Sequence, residues 1–146
     1  MTYDTTSNSG PLFLMDSSGG EATKLLDPAG GVTLYGWSAD GKRIVYYDGS
    51  PIRFSVFDLE TQQTWELISH TAYDIHGAEL SPDSKWVAFH LPRPVDEPVI
   101  IAPVRAGKAA PEAEWITVTA AAGANRRPWW SPDGNMLYFL STRDSY

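Results

Sequence analysis

The sequence predicts an all-β fold, a β-propeller of four-stranded antiparallel blades. Three observations predict it. One phrase is written three times, as Trp37-Ser38-Ala39-Asp40-Gly41, Leu80-Ser81-Pro82-Asp83-Ser84 and Trp130-Ser131-Pro132-Asp133-Gly134. The aspartates of the three copies lie 43 and 50 residues apart, a period that suits propeller blades. Between them, short β-branched and aromatic runs alternate with turn residues, four runs to a period. Aromatics make up 12% of the 146 residues, and 12 Gly and 11 Pro are spread along the chain, as many strands and many turns require.

The elements follow in order. Residues 12–16 match 55–58 at a spacing of 42, and 24–26 match 66–68 at the same spacing, so the N-terminal stretch supplies the third and fourth strands of a blade. Residues 32–38 read as a first strand ending at the repeated phrase. Asp40-Gly41 is a hairpin signal, because glycine accepts positive φ and aspartate bonds its own backbone. Residues 43–47, 52–59 and 64–69 complete the blade, with turns at Asp48-Gly49-Ser50-Pro51 and Glu60-Thr61-Gln62-Gln63. The next blade is read at 77–81, 85–91, 99–104 and 114–119, with a longer turn at 106–111. Residues 127–131 and 135–141 supply a first and second strand.

The chain is therefore expected to comprise one propeller half-domain over 1–146. It divides into a half-blade at 1–31, blades at 32–70 and 71–120, and a half-blade at 121–146. That is three blade-equivalents, whereas closed propellers typically have four to eight. The half-blades are complementary, and each leaves a strand edge that invites pairing. Two expectations stand side by side. Either two copies form a homodimer that closes a six-bladed ring, or the chain is an excerpt of a longer propeller.

Composition excludes several classes. The net charge of −7 argues against nucleic acid as a partner, since phosphate binding needs clustered cations. No cysteine is present, which excludes disulfides and thiolate metal sites. No apolar run approaches the roughly 20 residues of a membrane span, so membrane insertion is not expected. Met1 is followed by the polar run Thr2 to Ser7, without a signal-peptide pattern. P-loop, G-x-G-x-x-G, H-E-x-x-H and G-x-S-x-G motifs are absent from the sequence. No catalytic residue, metal site or cofactor is therefore predicted.

Asp40, Asp83 and Asp133 read as caps of the tight turn rather than a ring of functional carboxylates. Trp37, Leu80 and Trp130 read as packing residues between blades, while Trp86 and Trp129 fall outside the repeat. His70, Tyr73, Asp74 and His76 lie in the loop between the two full blades. They lack a third strong ligand for zinc, so a polar loop is the preferred reading over a metal or acid–base site. His90 reads as an ordinary strand end. In a propeller that loop opens on the same face as the segments holding Arg93, Asp96 and Glu97, then Asn125, Arg126 and Arg127, and finally Arg143 and Asp144. His70, Tyr73, Asp74, His76, Arg93, Asn125, Arg126, Arg127 and Arg143 are thus the candidate ligand-binding residues of a channel face.

The phrases Trp130-Ser131-Pro132-Asp133-Gly134 and Leu80-Ser81-Pro82-Asp83 resemble the core of the PD40 repeat, the WD40-like unit of TolB-type propellers. The resemblance runs from about residue 12 to 145. It implies a mostly six-bladed architecture, a periplasmic setting and the binding of partner proteins. Related propellers also stand beside the catalytic domains of serine peptidases or in bacterial sensors. The expected function is a non-catalytic binding or scaffold module that recognises a protein, peptide or small ligand at the channel face. The alternative is a propeller accessory to a hydrolase or sensor.

Overall fold

A computed structural model describes residues 9–119 and 123–142. Among the described residues twelve strands run in chain order: β1 (Leu12–Leu14), β2 (Thr23–Leu26), β3 (Thr33–Trp37), β4 (Arg43–Asp48), β5 (Arg53–Asp58), β6 (Thr64–Ile68), β7 (His76–Leu80), β8 (Trp86–His90), β9 (Val99–Pro103), β10 (Ile116–Thr117), β11 (Asn125–Trp130) and β12 (Leu137–Ser141). They form antiparallel sheets of two, four, four and two strands, β1–β2, β3–β6, β7–β10 and β11–β12. Within each sheet every strand pairs with its neighbour in sequence, so the four-stranded sheets are meanders and the two-stranded ones hairpins. Stacked in series, the sheets make a partial propeller.

The fourth strand of the second full blade is shorter than its sequence suggests. Residues 112–114 form one 3-10 turn, and β10 holds two residues. Pairing continues beyond it by other means. The Val118 N–H donates to the Val99 carbonyl at 2.8 Å, and the Val99 N–H donates to the Thr119 hydroxyl.

Apolar residues occupy both phases of the middle strands, so both faces of a blade are buried. In β5 the consecutive residues Phe54, Ser55, Val56 and Phe57 are all buried. One face contributes Val45, Phe54 and Val56 to the larger core, where they meet Val87, Phe89, Ile100 and Ala102 of the next sheet. The other face contributes Tyr46 and Phe57 to a smaller core with Leu12 and Val32. Each fully buried side chain of this size stabilises by about 1.5–3 kcal/mol.

The repeated phrase builds the same clamp three times. The Ser38 hydroxyl donates to Asp40 Oδ1 and accepts the Arg43 N–H, while Asp40 accepts the Lys42 N–H. Ser81 and Asp83 do likewise with Trp86 and Lys85. Ser131 and Asp133 repeat it with Met136 and Asn135. These bonds, the serine's foremost, lower the carboxyl pKa of all three aspartates, for Asp133 to about 2.

Trp37, expected to pack between blades, is instead 78% exposed. Trp130 holds the same place in the repeat, and its indole N–H donates to the Glu79 carbonyl on β7 of the preceding sheet. Trp37 lies opposite Ile44, whose side chain packs against the β1–β2 side. Among the described residues that preceding sheet holds two strands and has no counterpart of β7, so the Trp37 indole has no wall to meet.

Ser81 is buried between its two bonds. Ser81→Ala should leave the Trp86 N–H without its acceptor and cost about 1–3 kcal/mol, read from urea unfolding. A loss below about 0.5 kcal/mol would show that the clamp is decoration on a turn formed without it.

Candidate functional site

The first strand of each of the last three sheets carries a register break at the same height. The break lies between Leu34 and Gly36 in β3, His76 and Glu79 in β7, and Arg126 and Trp129 in β11. A bulge bends its strand and turns a side chain away from the ladder. Tyr35, Gly77, Arg127 and Pro128 sit in these breaks, and all four line an open cavity of about 780 Å³ between the three strands. This is the inner side of the sheets, where a propeller has its channel.

Two of the bulges impose particular backbones. Gly77 has φ +68°, and a Cβ there would stand 3.1 Å from His90 Nδ1 and 3.3 Å from Pro128 Cδ. Glycine is the residue that permits both the left-handed conformation and the close approach. Arg127 adopts φ +51°, which throws its side chain outward from a strand whose next residue is proline.

The walls combine charge, imidazole and aromatic surface. Arg126 makes a two-pronged pair with Glu97 through Nε and Nη2, which holds the Glu97 carboxyl below its usual range. Backbone bonds from Glu97 N–H to the Gly123 carbonyl and from Asn125 N–H to the Glu97 carbonyl lace this loop to β11. Arg127 is exposed and has no carboxylate partner among the described residues. The cavity wall thus carries one positive charge beyond the Arg126–Glu97 pair. His76 and His90, opposite each other on β7 and β8, stack with centroids 5.5 Å apart. Burial, and secondarily the Glu79 carboxylate, raises the Tyr35 phenol pKa.

His90 belongs to the site although its sequence position suggested an ordinary strand end. It is 7% exposed, its ring lines the cavity, and its Nδ1 has no hydrogen-bond partner among the described residues. The signal was the cross-strand pairing with His76, legible only once the register is known.

Of the residues predicted for the channel face, His76, Arg126 and Arg127 line the cavity. The others have different tasks. His70 Nδ1 accepts the N–H groups of Ala72 and Tyr73, and its ring stacks on Tyr73 at 5.0 Å, so both shape their own loop. Asp74 accepts the Ile52 N–H and ties that loop to the preceding hairpin. Arg93 is engaged by Asp96 in a bidentate pair. Asn125 is buried, donating to the Gly123 carbonyl and accepting from the Ser141 hydroxyl. Arg143 lies outside the described residues. Sequence reasoning gave no site role to Tyr35, Gly77 or Trp129, which all line the cavity. Among the described residues no three His, Asp or Glu side chains converge to hold a metal ion, and no helix is long and apolar enough to cross a membrane.

Burial, and then the neighbouring His76, pushes the His90 imidazole pKa down to about 4. The unfolded chain, where histidine titrates near 6.5, takes up the proton first. Stability from neutral His90 is therefore full above about pH 6.5 and is lost as pH falls towards 4. With solvent screening in the open cavity, the predicted loss across that window is about 1–2 kcal/mol. Urea midpoints at pH 7 and 4.5 test this, with His90→Gln expected to remove the extra loss. Equal pH dependence in the two proteins would contradict it.

No protein-family model matches this sequence. A chain of Sulfurisphaera tokodaii described as a Tricorn-like protease C-terminal subunit is 29% identical over 128 residues, 87% of this chain and 14% of that protein. TolB from Acinetobacter baumannii superposes with a TM-score of 0.72 at 19% identity, over 92% of this chain and 33% of that one. A protein described as TolB from Agrobacterium tumefaciens gives 0.68 at 24% identity, over 90% of this chain and 45% of that one. The tricorn protease gives 0.68 at 21% identity, over 94% of this chain and 14% of that one. The chain spans between one seventh and less than half of the proteins it matches. Its fold is that of the β-propellers in these structures, and the resemblance to TolB-like propellers carried by the Ser-Pro-Asp phrases holds at the level of the fold.

Proposed function

We propose that this chain is a non-catalytic propeller module that recognises a ligand at its channel face. The observation that supports this reading is the 780 Å³ cavity at the three aligned bulges, since bulges concentrate where a sheet is shaped for a site. Its wall offers two arginines, one of them neutralised by Glu97, together with Tyr35, Trp129 and a stacked imidazole pair. Such a wall suits a ligand that brings one anionic group to Arg127 and flat or apolar surface to the aromatic rings. A short acidic peptide or the acidic loop of a partner protein has this chemistry. The periplasmic setting implied by the TolB resemblance belongs to the same reading.

The second reading is a propeller accessory to a peptidase. The similarity to the tricorn protease structure and to the Sulfurisphaera tokodaii chain favours it. The cavity then holds peptide while chemistry takes place in another part of a longer protein.

Fluorescence anisotropy of labelled acidic and basic hexapeptides tests the binding role. Acidic peptides should bind more tightly, and Arg127→Glu should weaken them at least about tenfold, which is about 1.4 kcal/mol, with the melting temperature unchanged. Equal binding of both peptide classes, indifferent to the substitution, would contradict it.

A further inference from the structure

The two-stranded sheets at the ends are complementary halves. In the repeat, β11 and β12 correspond to β3 and β4, the first two strands of a blade. By the same alignment β1 and β2 correspond to β5 and β6, the last two. We propose that a second copy of this chain joins them: β12 of one copy pairs with β1 of the other, each composite blade takes strands from both, and two copies close a six-bladed ring. This goes beyond the ligand-binding reading and does not depend on it.

The repeat sets the register of the new seam. Within the complete blade, Ile44 faces Phe57, Val45 faces Val56 and Tyr47 faces Phe54. Carried over by the repeat spacing, Leu137 should face Met15 of the partner subunit, Tyr138 should face Leu14 of the partner subunit, and Leu140 should face Leu12 of the partner subunit. The exposure pattern fits that register. Val45 and Val56 are buried, whereas their counterparts Tyr138 and Leu14 are 60% and 52% exposed. The residues at the ends are as apolar as those in the complete blade, and they lie where a middle strand pair would be covered.

Trp37 adds an independent point. Trp130 donates its indole N–H to the Glu79 carbonyl, and the repeat counterpart of Glu79 on β11 is Trp129. In the ring, the composite blade before β3 would contain β11 of the second copy. Its Trp129 carbonyl would then take the Trp37 indole N–H, and the exposed ring would gain its wall.

The surface available is sufficient. Phe13, Leu14, Met15, Trp37, Tyr138 and Leu140 are each at least half exposed, at about 100 Å² apiece. Two copies would bring together about 1,200 Å² from these side chains alone, already within the range of specific interfaces. Closure also removes the sheet edges of β1 and β12, which would otherwise template aggregation.

The chain contains no cysteine, so introduced thiols can be placed without background. Leu14→Cys protein and Tyr138→Cys protein are mixed at low concentration, concentrated and treated with a short thiol-to-thiol cross-linker. A covalent dimer on a non-reducing gel, formed at least about tenfold more in the mixture than in either protein alone, supports the composite blade. Equal yields in mixture and single proteins overturn it. So does a Leu14→Cys/Tyr138→Cys double variant that links only within one chain. The unmodified chain provides a second measurement that needs no variant. Amide exchange at residues 12–14 and 137–140 should slow with rising protein concentration. Fast exchange independent of concentration overturns the proposal and leaves those edges to strands of a longer parent chain.

Discussion

A blade of this fold carries apolar side chains on both faces, and the need to cover both faces governs everything else in the structure. An ordinary half-buried strand alternates apolar and polar residues. Here β8 buries Val87, Ala88, Phe89 and His90 in succession, and β5 does the same. A sheet of this kind is stable only between two others. The two complete blades cover each other on one face through the core built around Phe54, Val56, Phe89 and Ile100. Their outer faces rest on the half-blades, through Leu12, Leu25 and Leu26 on one side and through β11 on the other. The half-blades themselves are covered on one face, and there the apolar side chains reach solvent.

The site grows out of the same stacking. Three innermost strands brought side by side converge at the axis, and their aligned bulges turn Tyr35, Gly77 and Arg127 into the space between them. Because both faces of β8 are covered, its last residue, His90, is buried beside the cavity, its Nδ1 close to Gly77 and without a hydrogen-bond partner among the described residues, and burial lowers its pKa. The Arg126–Glu97 pair sets the neighbouring loop without adding net charge, and Arg127 lines the cavity with no carboxylate partner among the described residues. Shape and charge at this face thus depend on the packing of sheets as much as on local loops.

Much of the fold was legible in the sequence because its signals are local. The Ser-x-Asp clamp bonds within five residues of itself, so the same phrase folds the same way at each occurrence, and the strands between follow from turn spacing. What failed to be legible depends on neighbours distant in sequence. Trp37 and Trp130 occupy the same place in matching phrases, yet Trp130 reaches a carbonyl on the preceding sheet and Trp37 faces solvent. His70, Tyr73 and Asp74 looked like companions of His76 because they adjoin it. His70 Nδ1 bonds the loop's own backbone, Tyr73 stacks on His70 and Asp74 bonds the Ile52 N–H, while His76 enters a strand and meets His90. Asn125 looked like a ligand residue beside two arginines, but its phase in β11 points it inward, where it bonds Gly123 and Ser141.

The need to cover both faces makes its sharpest claim at the two ends of the arc, and the absolute mass of the chain in solution, by light scattering across a concentration series, tests that claim most directly. The account predicts a monomer at high dilution that converts, as concentration rises, to a discrete particle of twice the chain mass and grows no larger, because a ring of two copies leaves no edge open. A stable monomer at every concentration would contradict it, since the exposed faces of β1, β3 and β12 would then need no cover.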